Sequence, residues 1–140
     1  MVGTADHHGV VVSDIDRALT FYRDTLGMDV VDEISQESDA FSRAVGVENT
    51  DVDLAFLDAH GFTIELVEYN RPNGNNANET TTSNDVGATH FCLAVEDIEG
   101  VYDDLREDAE FVSTPQELKN GVKLAFIRDP DGNVVELLQG

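Results

Sequence analysis

The sequence predicts an α+β fold in which two β-α-β-β-β modules form a curled mixed sheet, a cup, with the helices on its convex side. Two segments that each occur twice in the sequence support this prediction. HHGVVVSDID at residues 7–16 recurs as HFCLAVEDIE at residues 90–99, and GFTIELV at residues 61–67 recurs as GNVVELL at residues 132–138. Each half of the chain therefore opens and closes with a similar segment, and apolar periodicity assigns the elements between them.

The first module opens with a strand and continues into an amphipathic helix. Ser13 or Asp14 can cap this helix, and Gly27 stands where a helix usually stops. Its apolar residues recur at helical spacing: Ile15, Ala18, Leu19, Tyr22 and Leu26. Three strands follow, at about 28–35, 52–58 and 62–68.

The second module repeats this order. Asp97 is the expected cap of its helix, and Gly100 weakens that helix slightly. The apolar face of the helix comprises Ile98, Val101, Leu105 and Ala109. Strands are predicted at about 110–113, 122–128 and 133–138, and the DPDG of residues 129–132 reads as a tight turn into the last of them.

A chain of 140 residues is most simply a single domain. We expect one domain over 1–140 with modules at about 5–69 and 88–140. The segment joining them, about 70–87, is nearly devoid of apolar residues and has the composition of a flexible linker.

The charge excludes some classes of partner. The chain has 29 Asp and Glu against 8 Lys and Arg, a net charge of −21, which repels nucleic acid and anionic membranes. No apolar run approaches the roughly 20 residues of a membrane span, and the N-terminus lacks a secretory pattern, so a cytoplasmic protein is expected. A surface rich in carboxylates and poor in lysine resembles that of proteins from extreme halophiles.

Strand alternation sorts the polar residues of the modules. It places His7, Glu65, His90 and Glu136 together on the face turned away from the helices, while the adjacent His8 is the competing candidate for His7. A structural role explains each residue taken alone, but two equivalent His–Glu pairs on one face are harder to explain as coincidence. Carboxylates enclosed there need a positive partner, and a divalent cation with imidazole ligands supplies one.

Through these recurring segments, the chain resembles the vicinal oxygen chelate superfamily, the group of glyoxalases, bleomycin-resistance proteins and extradiol dioxygenases. The resemblance covers essentially the whole chain, through HHGVVVSDIDRALTFYRDTLGM, IELVEY, HFCLAVEDIEGVYDDL and FIRDPDGNVVELLQ. It implies a cup around one divalent metal ion (Ni, Co, Mn, Fe or Zn) with His7, Glu65, His90 and Glu136 as ligands. The family spacing favours His7 over His8, and a homodimer is the favoured assembly.

The resemblance also implies a reaction. The four-ligand set is similar to that of the glyoxalase I-like branch, which acts through a chelated enediolate on the adduct of a 2-oxoaldehyde with a thiol. Glu136 is then the expected base, and Glu65 shares the role. The substrate presents two vicinal oxygens. Relatives that use glutathione carry an Arg near the end of the opening strand, where this chain has Val11, which argues against glutathione itself.

Two alternatives stay open. A methylmalonyl-CoA epimerase has similar ligands and also works through an enolate, although its final turn usually departs from the DPDGNVVEL form seen here. A non-catalytic member of the superfamily would bind a small ligand, and it would tolerate the loss of Glu65 or Glu136.

Overall fold

Both halves of the chain contain the predicted β-α-β-β-β order, with an additional short helix in the first half and an additional short strand in the second, and the predicted α+β fold class is confirmed. The computed structural model describes residues 1–140 and divides into two units, Met1–Asn75 and Asn76–Gly140. Each unit has its own mixed sheet, in which the opening strand pairs in parallel with the last strand of the same unit.

The first unit has a four-stranded sheet in the order β1-β4-β3-β2. Its strands are β1 (His7–Val12), β2 (Asp29–Gln36), β3 (Asp51–Asp58) and β4 (Thr63–Arg71). The predicted helix begins as α1 (Ile15–Leu19) and continues as a π-helical segment (Thr20–Thr25), a change of pitch that apolar spacing did not indicate. Asp14 caps α1 through its side chain, and Gly27 adopts a positive φ of 79° just after the helix, as the sequence predicted.

The helix of the first unit packs on one face of this sheet. Alternate residues of the strands point toward it, so that their apolar side chains form one core layer. The strand residues of this layer are Val10, Val12, Ala55, Leu57, Ile64 and Leu66, and the helix contributes Ala18, Leu19 and Tyr22. The polar residues of the predicted site lie on the other face of the strands.

A second helix, α2 (Asp39–Val45), was not predicted from the sequence. It packs Phe41 onto a small cluster of Val52, Leu54 and Val67 on the other face of the sheet, the face that carries Glu65. Ser38 caps it, and a hydrogen bond of 2.7 Å joins the hydroxyls of Ser42 and the buried Thr50. This face of the first unit is therefore partly apolar.

The second unit has a sheet in the order β5-β9-β8-β6, with a further short strand, β7, on β8. Its elements are β5 (His90–Ala94), α3 (Ile98–Leu105), β6 (Glu110–Phe111), β7 (Gln116–Glu117), β8 (Lys123–Arg128) and β9 (Val134–Gln139). Asp97 caps α3, as predicted, by accepting a hydrogen bond from the Gly100 N–H. The unit begins at Asn76, and the side chain of Asn78 donates hydrogen bonds to the Asp131 carbonyl and to Asn133 Oδ1.

An equivalent hydrogen bond joins the start of the helix to the closing strand in both units. The N–H of Ile15 donates to Glu68 Oε1 at 2.7 Å, and the N–H of Ile98 donates to Gln139 Oε1 at 2.8 Å. Glu68 and Gln139 each follow the predicted ligand glutamate by three positions. The first helical turn has N–H groups with no partner inside the helix, so a side chain of the closing strand satisfies one of them.

Replacing Gln139 with Leu is expected to lower the free energy of unfolding by about 1 kcal/mol, because the Ile98 N–H loses its acceptor at a helix start. The matched variant Gln139→Glu keeps an acceptor oxygen and places a negative charge near the helix N-terminus, so its stability should equal or exceed that of the wild type. Urea denaturation measures both. Equal stabilities of the Leu and Glu variants would contradict the assigned bond.

Candidate metal centre

The first unit brings His7 and Glu65 together. Nε2 of His7 lies 3.5 Å from Oε2 of Glu65. In the parallel pairing of β1 with β4, His7 stands opposite Thr63 and Gly9 stands opposite Glu65, so the two side chains are diagonal neighbours on one face. The pairing of these two residues follows from the period of two in both strands.

Asp6 holds the other ring nitrogen of His7, with Asp6 Oδ2 at 2.7 Å from Nδ1. This bond, followed by the charge of Glu65, raises the pKa of the His7 imidazole against the opposing effect of desolvation. A carboxylate on the outer nitrogen fixes the orientation of an imidazole and leaves its other nitrogen free for a ligand role. Asp6 was not predicted from the sequence, although an acidic residue directly before His7 was a visible signal.

The second unit repeats the pair with His90 and Glu136. Nε2 of His90 lies 3.0 Å from Oε2 of Glu136. His90 stands opposite Val134 in the β5–β9 register, so Glu136 is again two positions along the neighbouring strand. The carboxylate is the less accessible partner, with 14% of its side chain exposed against 47% for His90.

A phenylalanine accompanies each pair. Phe56 stands opposite Glu65 and Phe126 stands opposite Glu136 on the adjacent antiparallel strand. Each ring meets its histidine in an edge arrangement, with centroids 5.9 Å apart for Phe56 and His7, and 5.4 Å apart for Phe126 and His90. Such contacts favour one orientation of the imidazole. Both phenylalanines belong to the tripeptide LAF, which recurs at residues 54–56 and 124–126 and is the sequence signal that could have identified them.

The residues opposite the glutamates differ between the units. Gly9 stands opposite Glu65, and a Cβ at this position would lie 3.4 Å from Glu65 Oε1, at van der Waals contact. Cys92 stands opposite Glu136, and its thiol pKa is raised by desolvation first and by the negative charge of Glu136 second. The neutral thiol is therefore favoured over the thiolate beside this carboxylate.

His8, the competing candidate for His7, lies on the opposite face of β1. It alternates with His7 and shares the face of the buried Val10 and Val12, which pack toward the helix. His7 is thus the histidine that the strand turns toward Glu65.

The donor types of the pairs suit a divalent metal of the first transition row. Each pair offers one imidazole nitrogen and one carboxylate oxygen, which bind Zn, Ni, Co, Mn and Fe. The structure assembles no group of three or more His, Cys, Asp or Glu that would hold a metal ion. The four predicted ligands are therefore present as two pairs, one in each unit.

The comparisons with known proteins agree with this architecture. Residues 4–137 match the family model of the Glyoxalase/Bleomycin resistance protein/Dioxygenase superfamily. The chain belongs to this superfamily. Among its relatives, the "Probable lactoylglutathione lyase" of Synechocystis sp. is 31% identical over 141 residues, which covers 95% of this chain and 92% of the relative.

Solved structures of the superfamily share the fold. A glyoxalase family protein from Bacillus cereus superimposes with a TM-score of 0.86 at 23% identity, over 99% of this chain and 95% of the other. The trypanothione-dependent glyoxalase I of Leishmania major gives a TM-score of 0.65 at 26% identity, over 95% of this chain and 84% of the other. None of the helices in the present chain has the length and apolar character needed to cross a membrane.

Proposed function

We propose that this chain is a divalent-metal-dependent enzyme of the glyoxalase I type, which isomerises the adduct of a 2-oxoaldehyde and a thiol to a 2-hydroxy thioester through an enediolate. One observation carries the proposal. Each unit turns one imidazole nitrogen toward one glutamate carboxylate, at equivalent positions and within 3.5 Å in the wider pair. Relatives named lactoylglutathione lyase support the same reaction class.

The proposed ligands are His7, Glu65, His90 and Glu136. When bound, the metal would act as a Lewis acid on two neighbouring oxygens of the substrate. Asp6 and the two phenylalanines hold the imidazoles in their orientations. The alternative without catalysis, a binding member of the superfamily, has no need of two carboxylates at equivalent positions.

The reaction needs two proton transfers and no redox partner. Glu136 takes the proton from the carbon that bears the sulfur and the hydroxyl group, and returns it to the neighbouring carbonyl carbon. The C–H bond lost on one carbon is thus replaced on the next. The hydroxyl proton moves to the former carbonyl oxygen, so the thioester carbonyl forms where the hydroxyl stood and a new hydroxyl forms on the neighbouring carbon. A base positioned in this way contributes about 10²–10⁴-fold to the rate.

The proposal predicts metal in the purified protein. After dialysis at high salt, elemental mass spectrometry of the wild type should find metal near stoichiometry per 15.3 kDa chain, and Glu65→Ala should lose most of it. Loss of one of four ligands weakens binding because the site then lacks a charged donor. Light scattering on the same samples gives the assembly, which we expect to be a homodimer.

The control for this measurement is Glu117→Ala, which removes an exposed carboxylate from β7. It should keep the metal content of the wild type. Wild-type protein without metal, even after incubation with Ni, Co, Mn, Fe or Zn, would overturn the proposed function. Loaded protein should then be assayed on methylglyoxal with several thiols and on methylmalonyl-CoA.

A further inference from the structure

A small pocket in the second unit is lined by His90 and by no carboxylate. Its volume is about 40 Å³, several times the roughly 10–15 Å³ that one water requires. Arg128 contributes the positive charge, and hydroxyl side chains form much of the remaining wall: Thr81, Thr82, Ser83 and Thr89. In a chain with 29 Asp and Glu, a wall of hydroxyls and one guanidinium is unusual local chemistry.

The guanidinium of Arg128 is only loosely paired in the protein. Its Nε lies 3.7 Å from Glu110 Oε1, beyond hydrogen-bond distance, and the Glu110 side chain is 74% exposed. An exposed ion pair of this length contributes little and is readily exchanged for another anion. The planar guanidinium fork also matches a carboxylate better than an ammonium group does.

Some hydroxyl groups of the pocket wall make no hydrogen bond within the protein. Thr81 donates to the Ala77 carbonyl at 2.6 Å, but the hydroxyls of Ser83 and Thr89 have no partner in the protein. Thr89 precedes His90 as Asp6 precedes His7, so Nδ1 of His90 lacks the carboxylate acceptor that Nδ1 of His7 has. The second unit therefore has hydroxyl donors near its histidine, whereas the first unit has the Asp6 carboxylate as an acceptor beside His7.

The geometry points to this pocket as a subsite for a small oxyanion, a carboxylate carried by the thiol part of the substrate. Arg128 supplies the charge, and Ser83 and Thr89 supply neutral hydrogen bonds. The volume suits a carboxylate group rather than a whole substrate. The assignment to the substrate rests on the proposed function, because it depends on His90 being a residue of the reaction site.

Two unreactive thioethers that differ only in the terminal group test the subsite directly. We expect 3-(methylthio)propionate to bind the wild-type protein about 10- to 100-fold more tightly than 3-(methylthio)propan-1-ol. Binding is followed by NMR at the amides of Ser83 and Thr89. Arg128→Gln should abolish the preference for the acid, and Arg128→Lys should keep part of it.

The matched control is Arg106→Gln, which removes the same charge from the same unit at an exposed position beside Asp103. It should keep the full preference for the acid. Equal binding of acid and alcohol, or an unchanged preference in Arg128→Gln, overturns the subsite. Acetate alone binding as tightly as the thioether acid would assign the pocket to free anions and overturn its assignment to the substrate.

Turnover separates the subsite from the proposed function. With methylglyoxal adducts of 3-mercaptopropionate and 2-mercaptoethanol, Arg128→Gln should raise the KM of the acidic adduct about 10- to 100-fold and leave its kcat unchanged. The neutral adduct should be unaffected, and an equal rise in both KM values would overturn the subsite. If the wild type converts no adduct, the proposed function fails, while the thioether binding still decides whether the pocket takes a carboxylate.

Discussion

Glu136→Gln is expected to lower kcat on the thiol adduct of methylglyoxal by about 10²–10⁴-fold, with a much smaller effect on KM. The amide keeps the size of the side chain and an oxygen toward His90, but it has no basic oxygen to take the proton. Rates should be compared per bound metal, because the variant also changes a proposed ligand. Solvent exchange of the substrate hydrogen, followed by NMR in deuterium oxide, should fall in parallel with kcat.

Two further variants sharpen this prediction. Glu65→Gln removes the equivalent carboxylate and should reduce kcat less if Glu136 is the principal base. Glu117→Gln makes the same chemical change on the exposed strand β7 and should leave both constants unchanged. Wild-type kcat per metal in Glu136→Gln would contradict the role of Glu136. Losses of similar size in the two site variants would show that both carboxylates share the proton transfer.

The two His–Glu pairs were predictable because strands have a period of two. Alternation decided which side chains share a face, and the internal repeat showed that the same choice was made twice. The sequence also predicted the caps Asp14 and Asp97, since a side-chain acceptor before an amphipathic segment is a local signal. The caps do not depend on the tertiary fold, whereas the contact of each His with its Glu also requires the parallel pairing of β1 with β4 and of β5 with β9.

Features that depend on which strands become neighbours were harder to predict from the sequence. Phe56 and Phe126 approach the histidines because β3 and β8 lie beside β4 and β9, although the repeated LAF offered a clue. Helix α2 is short and is stabilised by Phe41 on a tertiary cluster and by the contact of Ser42 with Thr50. In the π-helical turn after Leu19, Phe21 is buried beside Tyr22, although α-helical spacing placed only Tyr22 on the apolar face.

The melting temperature should rise on the order of 10 °C between 0.1 M and 2 M KCl, because salt screens the repulsion within a chain of net charge −21. The Debye length falls from about 10 Å at 0.1 M to about 3 Å at 1 M, so repulsion between neighbouring carboxylates is strongly reduced. Thermal unfolding followed by circular dichroism measures the change. A melting temperature that does not depend on KCl would contradict the interpretation of this surface as adapted to high salt.

Asp104 offers a local form of the same test. It is exposed in the last turn of α3, where a negative charge opposes the helix dipole and the turn itself contains no basic residue. Asp104→Lys should therefore raise the melting temperature at 0.1 M KCl, with Asp104→Asn giving a smaller gain. Both gains should shrink at 2 M KCl, because screening removes the repulsion that the variants relieve. Gains that persist undiminished at high salt would mean that helix propensity, and not charge, limits the stability at this position.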